Sequence, residues 1–225
     1  MVINKQKTQV LSISSSQVDN IAYLTDDNNT RITSETELKM LGFYFSEKPT
    51  VHLQVEKLLR RANKRIYLLL TYKKNGVPKG KLKTIYTSNI RSVLEYTCNT
   101  YHSQLNRGQI NLIERAQKRC LKIIYGYTKS YVELLNESGL ETMEARRVRL
   151  FEKFTKKTAD NPKYNAWFPQ KDCIRDTRKP RPYVEERATS QRLYRSPIYA
   201  MRRLLNDEPA VEIDPSDLTG LYNAP

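Results

Sequence analysis

The sequence predicts an α+β protein: a small N-terminal antiparallel β-sheet, then a mostly α-helical bundle, then an irregular basic tail. Three observations carry this prediction. Up to residue 45, apolar and polar residues alternate in short runs; from Thr50 onward the apolar spacing becomes helical. The helical spacing holds as far as Asn161, beyond which Pro162, Pro169, Pro180, Pro182 and Pro197 interrupt it. Charge is segregated as well: residues 1–50 hold 5 basic and 6 acidic side chains, residues 51–206 hold 34 and 13, and residues 207–225 hold 0 and 5. These shifts divide the chain into a β segment at 1–48, a helical part at 49–160, a basic Pro-containing region at 161–206 and an acidic end at 207–225, expected to be disordered.

In the first segment, TQVLSIS (8–14) alternates as a half-buried strand does. NIAYLT (20–25) is a second candidate, closed by the turn-forming run Asp26, Asp27, Asn28, Asn29. TRIT (30–33) and ELKMLGFYF (37–45) complete a small sheet.

The helices come in order. After Pro49 and Thr50, the residues Val51, Val55, Leu58, Ala62, Ile66 and Leu69 share one face, joined by Leu59 and Leu70, and Asn75–Gly76 closes the helix. Pro78 opens the next, whose apolar set is Leu82, Ile85, Tyr86, Val93 and Leu94. From Asn106 to Gly126 a third helix groups Ile110, Ile113, Ala116, Cys120, Leu121 and Ile124. Asn106 can cap it, Gln109 can complete a capping box, and Gly126 can end it. A short helix at Tyr131–Glu137 stops at Gly139, and Thr142 can cap another that packs Met143, Leu150, Phe151 and Phe154. YAMRRLLN (199–206) fits a last short helix.

Composition excludes several classes. Apolar residues make up 39% of the chain, too many for a disordered protein. Cys98, Cys120 and Cys173 offer neither a disulfide framework nor a zinc signature, and the first two fall in helical apolar patterns as buried thiols of a reducing compartment. No run approaches the ~20 apolar residues of a membrane span, and the N-terminus lacks a signal-peptide core. The expected location is therefore intracellular, nucleus or cytoplasm, rather than secreted. His52 and His102 are single and distant, so no metal site is expected, and Trp167 beside Pro169 reads as a packing anchor.

The net charge of +15 suits a polyanionic partner. Its cations are ordered by the helices: Lys57, Arg60, Arg61, Lys64 and Arg65 oppose the apolar face of the first, and Arg115, Lys118, Arg119 and Lys122 that of the third. Arg146, Arg149, Lys153, Lys156 and Lys157 do the same farther on. Cations on a rigid helix bind phosphates without reading sequence, although the same pattern also describes a solvated face. Contact with about five phosphates would make log affinity fall with log salt at a slope of about −4.

Several of these segments, in their order, resemble the C-terminal part of the reverse transcriptases of non-LTR (LINE or jockey-like) retrotransposons. IRSVLEY (90–96) is succeeded, as in that family, by a spacer, then QINLIERAQKR (109–119), an apolar run and Gly126. Asn4-x-x-Lys7-Thr8 resembles the element ending the polymerase palm, and LGFYFS (41–46) the primer grip. VHLQVEKLLRRANKRIYLLL, with GVP at 76–78, resembles the thumb and its connection; RRVRLFEKF (146–154) and SPIYAMRRLLN (196–206) resemble the region beyond the thumb.

The resemblance implies a thumb-like bundle that grips RNA or an RNA–DNA hybrid. Leu41, Gly42, Phe43 and Tyr44 would approach the primer end, though by themselves they read equally as a strand with a bulge. Lys7 would be the palm-motif lysine near an incoming nucleotide, or an ordinary surface lysine. The family's catalysis uses Mg²⁺ held by paired carboxylates of an F/Y-A-D-D hairpin that precedes the Asn-x-x-Lys-Thr element. Tyr23-Leu24-Thr25-Asp26-Asp27 does not reproduce that hairpin, in spacing or in order, and reads as a hairpin tip. The chain is thus expected to be a piece of a polymerase, with the rest of the palm and the fingers as its partner, and to have no catalytic residues, no metal and no cofactor of its own.

Two alternatives stand beside this. One is a non-catalytic helical module that binds nucleic acid or protein. The other is a label: VEKLLRRANKRIYLLL also resembles a segment assigned to AlkB-type dioxygenases. That activity requires a His-x-Asp…His iron triad, and neither His52 nor His102 is followed by x-Asp, so it is excluded.

Overall fold

The structure, a computed structural model, describes residues 8–13, 24–25, 31–32, 34–47, 50–171, 181–185 and 187–206. It is α+β, with antiparallel strand pairs in the N-terminal part and helices after them. The chain forms two compact units, Met1–Arg147 and Val148–Pro225.

Among the described residues the β part is two separate two-stranded ladders rather than one sheet. Strands β1 (Leu24–Thr25) and β2 (Arg31–Ile32) pair antiparallel, Leu24 opposite Ile32. The connection 26–30, with Asp26 and Asp27, lies outside the described residues, as do Lys7 and Cys173. Among the described residues the alternating run from Thr8 forms no ladder. Val10 makes a single parallel bridge to Ser34, and its carbonyl accepts from Glu35 N at 2.7 Å.

The run ELKMLGFYF is not one strand. It folds as β3 (Glu37–Met40) and β4 (Phe43–Ser46), with Met40 opposite Phe43 and a two-residue turn at Leu41–Gly42. Both turn residues have positive φ, 48° and 81°, as the hairpin turns that match strand twist require. Glycine adopts this without cost, and Leu41 bears the strain.

Helix α1 (His52–Lys74) buries Val55, Leu58, Ala62, Ile66 and Leu69, and packs along β4, α5 and the helical stretch after Pro78. Leu59 and Leu70 are only half-buried, and the face is completed instead by Gln54. That stretch runs as α2 (Lys79–Ile85), a π-helical segment at Tyr86–Arg91, and α3 (Ser92–Glu95). The reason is its period. Leu82, Tyr86, Ile90 and Leu94 are all fully buried and stand four residues apart. In a regular α-helix that spacing drifts by about 40° per step, and the wider π turn takes up the drift. Hydroxyls attend the widened turn: Thr87 and Ser88 both donate to the Thr84 carbonyl, at 3.0 and 2.8 Å.

A short α4 (Cys98–Tyr101) and a 3₁₀ turn lead to α5 (Arg107–Tyr125). Asn106 Oδ1 accepts from Gln109 N at 2.8 Å while Gln109 Oε1 accepts from Asn106 N at 3.0 Å, so the expected capping box forms. Helix α6 (Tyr131–Ser138) carries a second box, Ser130 with Glu133, and ends at Gly139 in the left-handed region. Helix α7 (Met143–Ala159) begins with Thr142 Oγ1 accepting from Ala145 N at 3.1 Å.

The unit from Val148 has its own small core of Phe151, Phe168 and Met201. Phe154, expected to pack, is 36% exposed, because the buried line of α7 runs through Phe151, Thr155 and Thr158. A 3₁₀ turn (Pro162–Trp167), α8 (Gln191–Tyr194) and α9 (Pro197–Leu205) complete the unit. Asn206, buried at the end of α9, pairs both ways with the Tyr183 backbone: Tyr183 N donates to Oδ1 at 3.0 Å and Nδ2 to Tyr183 O at 3.1 Å.

Candidate nucleic-acid interface

The cations of α1 are largely engaged. Lys57, half-buried, pairs with Glu37 of β3 at 2.9 Å and lies 5.6 Å from the centre of the Tyr44 ring. Arg60 pairs with Glu56, one turn away, at 2.9 Å. Arg65 donates to the Asn89 carbonyl in the π segment. Arg61 and Lys64 are exposed and enter no ion pair among the described residues.

On α5 the ridge is less neutralised. Arg115 and Arg119 are exposed and Lys122 half-exposed, and none of the three enters an ion pair among the described residues. Lys118 lies 6.0 Å from the Tyr131 ring. Its pKa is lowered, first by partial burial and then by the neighbouring charges of Lys122 and Arg115. On α7, Arg146 is turned inward, held by Glu95 at 3.0 Å and by Glu141 at 3.7 Å, and Glu95 also pairs with Arg91 at 3.1 Å. Lys153, Lys156 and Lys157, in the second unit, are exposed.

What holds α5 rigid is a buried polar network, and sequence reading missed it. The Glu114 carboxylate, 2% exposed, accepts from Met143 N at 3.1 Å and from Glu144 N at 3.2 Å. With Thr142 on Ala145 N, the first three N–H groups of α7 are satisfied, and a negative charge sits where the helix dipole favours it. Tyr131 donates its hydroxyl to the same carboxylate. Gln117 accepts from Tyr86 OH at 2.5 Å and donates to Tyr131 OH and the Glu141 carbonyl, both at 2.9 Å. Burial raises the Glu114 pKa, and the hydrogen bonds from Tyr131 and Met143 N oppose that. The same burial pushes both tyrosines up.

Arg147, read past in a basic stretch, is wholly buried, and none of its guanidinium nitrogens has a hydrogen-bond partner among the described residues. Its charge favours the Glu114 carboxylate and, after burial, helps hold His102 down at about 4. Cys98 and Cys120 are buried free thiols, pushed up by burial to about 11 and about 12, so neither is a ready nucleophile.

The hairpin and the helices meet through LGFYFS and IRSVLEY. Tyr96, the last residue of IRSVLEY, donates its hydroxyl to the Leu41 carbonyl at 2.6 Å, and a Cβ at Gly42 would come within 2.9 Å of its ring. Gln54 accepts from Tyr44 N at 3.0 Å and donates to Thr97 Oγ1 at 3.2 Å; Thr97 itself has positive φ, 55°. Phe43 and Phe45 contact each other at 4.8 Å, and Leu41 stands 88% exposed at the tip. Gly42 was the one sequence signal of this close approach.

Among the described residues no group of three His, Cys, Asp or Glu side chains could hold a metal ion, and no helix is long and apolar enough to cross a membrane. No protein-family model matches the chain, and no curated protein or solved structure shows significant similarity to it.

Proposed function

We propose that this chain grips the phosphate backbone of RNA or an RNA–DNA hybrid, as the thumb-side part of a non-LTR retrotransposon reverse transcriptase. The observation that carries the reading is the α5 ridge: Arg115, Arg119 and Lys122, with Lys118 among them, on a helix whose other face is locked into the core. Four cations within two turns of a rigid helix match the spaced charges of a nucleic-acid backbone. Arg61 and Lys64 of α1 add to the grip, while Lys57 and Arg65 serve the fold first. In this reading the exposed tip at Leu41 is the primer-side contact, and the palm and fingers of an intact polymerase supply the Mg²⁺-holding carboxylates, so this chain binds and does not catalyse. Such a partner places the protein inside the cell, in nucleus or cytoplasm.

Fluorescence anisotropy of a labelled RNA–DNA hybrid across a salt series tests it. The full chain should bind with a log–log slope of about −4, and R115A/R119A/K122A should reduce that slope by about 3. A flat salt dependence would sink the proposal. Equal affinity for hybrid and single strands would favour the general helical binding module instead.

A further inference from the structure

The unit from Val148 holds a cleft of about 260 Å³, formed by Glu185, Arg187 and Ala188 with α8 and α9. Among the described residues its walls carry three guanidinium groups, Arg187, Arg202 and Arg203, against one carboxylate, Glu185. That carboxylate is engaged by Asn206 Nδ2. Tyr194 and Tyr199 supply aromatic walls.

The arginines are held in place. Arg202 is only 8% exposed, donates Nε to the Trp167 carbonyl at 2.8 Å, and lies 5.5 Å from the Tyr199 ring centre. Arg203 stacks 3.8 Å from the Tyr194 ring centre and donates Nη1 to the Tyr194 carbonyl at 2.7 Å. A guanidinium has five N–H donors in a planar fork, so this one bond leaves Arg203 donor capacity at the cleft wall. Tyr194 is still 47% exposed. The volume falls just below the usual range for small-molecule sites, about 300–1,000 Å³, which excludes a duplex and admits one compact group.

We propose that this cleft binds a single nucleoside phosphate unit. Arg187 and Arg203 hold the phosphate, the buried Arg202 adds fixed positive charge, and the base lies against the tyrosine rings. Arginine forks suit phosphate oxygens, and aromatic rings accept any base through its π-face. The same chemistry is offered by a free nucleotide and by one residue of a single strand. The cleft shares no residue with the α5 ridge, and the proposal does not rest on that ridge.

The test uses the full chain, a fluorescently labelled short thymidylate strand, and competition by adenosine monophosphate and by inorganic phosphate. R187A/R203A should weaken binding of the strand by about tenfold or more. Y194L should weaken it by about fivefold with the charges intact. R203K should fall between wild type and R203A, because it keeps the charge and loses the fork. Competition by adenosine monophosphate assigns the cleft to a free nucleotide, and competition by unlabelled strand alone assigns it to a residue within a chain; either supports the proposal. Unchanged affinity in R187A/R203A overturns it. So does Y194L binding like wild type with phosphate competing as well as the nucleotide. Should the double variant fail to fold, R187A alone decides, since that side chain is exposed. R187A/R203A should weaken short-strand binding by the same factor in an R115A/R119A/K122A background, so the two proposals fail separately.

Discussion

Helices α1 and α5 carry the same design, a line of cations opposite an apolar face, and their surroundings separate them. Beside α1 lie the β3–β4 hairpin and the π segment, which offer Glu37 and the Asn89 carbonyl to Lys57 and Arg65. Beside the α5 ridge no carboxylate pairs with Arg115, Arg119 or Lys122 among the described residues. Acidic and polar groups still reach α5, but on its inner face, where Glu114 and Gln117 tie it to α6 and α7. Whether a helical cation is available to a ligand thus depends less on its own spacing than on what the next element brings to it.

The sharpest way to break this contrast is at the inner face of α5. Glu114→Ala removes the acceptor of a buried hydroxyl and two helix N–H groups, and should cost about 3 kcal/mol in urea unfolding. A loss below about 1 kcal/mol would mean that α5 is not held as described.

The region beside α5 should also titrate. His102 is lowered from 6.5 to about 4, so its folded-state advantage is complete above pH 6.5 and lost as pH falls through that window. Glu114 has the opposite sign: raised when folded, it gives its contribution at low pH and loses it as pH rises from 4.5 through the raised value. His102→Gln should therefore flatten the fall in stability below pH 6.5, by up to about 3 kcal/mol. An unchanged acid limb would show that His102 does not set it.

On the α1 side the effects are smaller. Gly42→Ala places a Cβ against Tyr96 at a positive φ and should cost about 2 kcal/mol, or detach the hairpin. A Tm equal to wild type would argue against the latch. Lys57→Ala should cost under about 1 kcal/mol and barely change hybrid affinity, because its partner is Glu37 and the pair is partly exposed. A loss of hybrid affinity as large as that of R115A/R119A/K122A would erase the distinction between the helices.

The segments QINLIERAQKR and IRSVLEY divide into architecture and display. In QINLIERAQKR, Gln109 caps, Glu114 and Gln117 are buried acceptors and donors, and Arg115, Lys118 and Arg119 form the ridge. In IRSVLEY, Ile90, Val93 and Leu94 are core, Arg91 and Glu95 belong to the ion network with Arg146, and Tyr96 latches the hairpin. Helical spacing alone does not make this division, because a glutamate one position from an arginine looks equally solvated.

By itself the sequence determined the α+β order, most helix limits, the Asn106–Gln109 capping box and the stops at Gly126 and Gly139, since each depends on residues within one turn of each other. Only the tertiary structure decided that the ELKMLGFYF hairpin is latched by Tyr96, that Gln54, Glu114, Gln117 and Arg147 go inside, and which cations remain at the surface. A local cap finds its partner along the chain. A buried polar group or a paired lysine finds it on another element, and no periodicity in one helix records what that element presents.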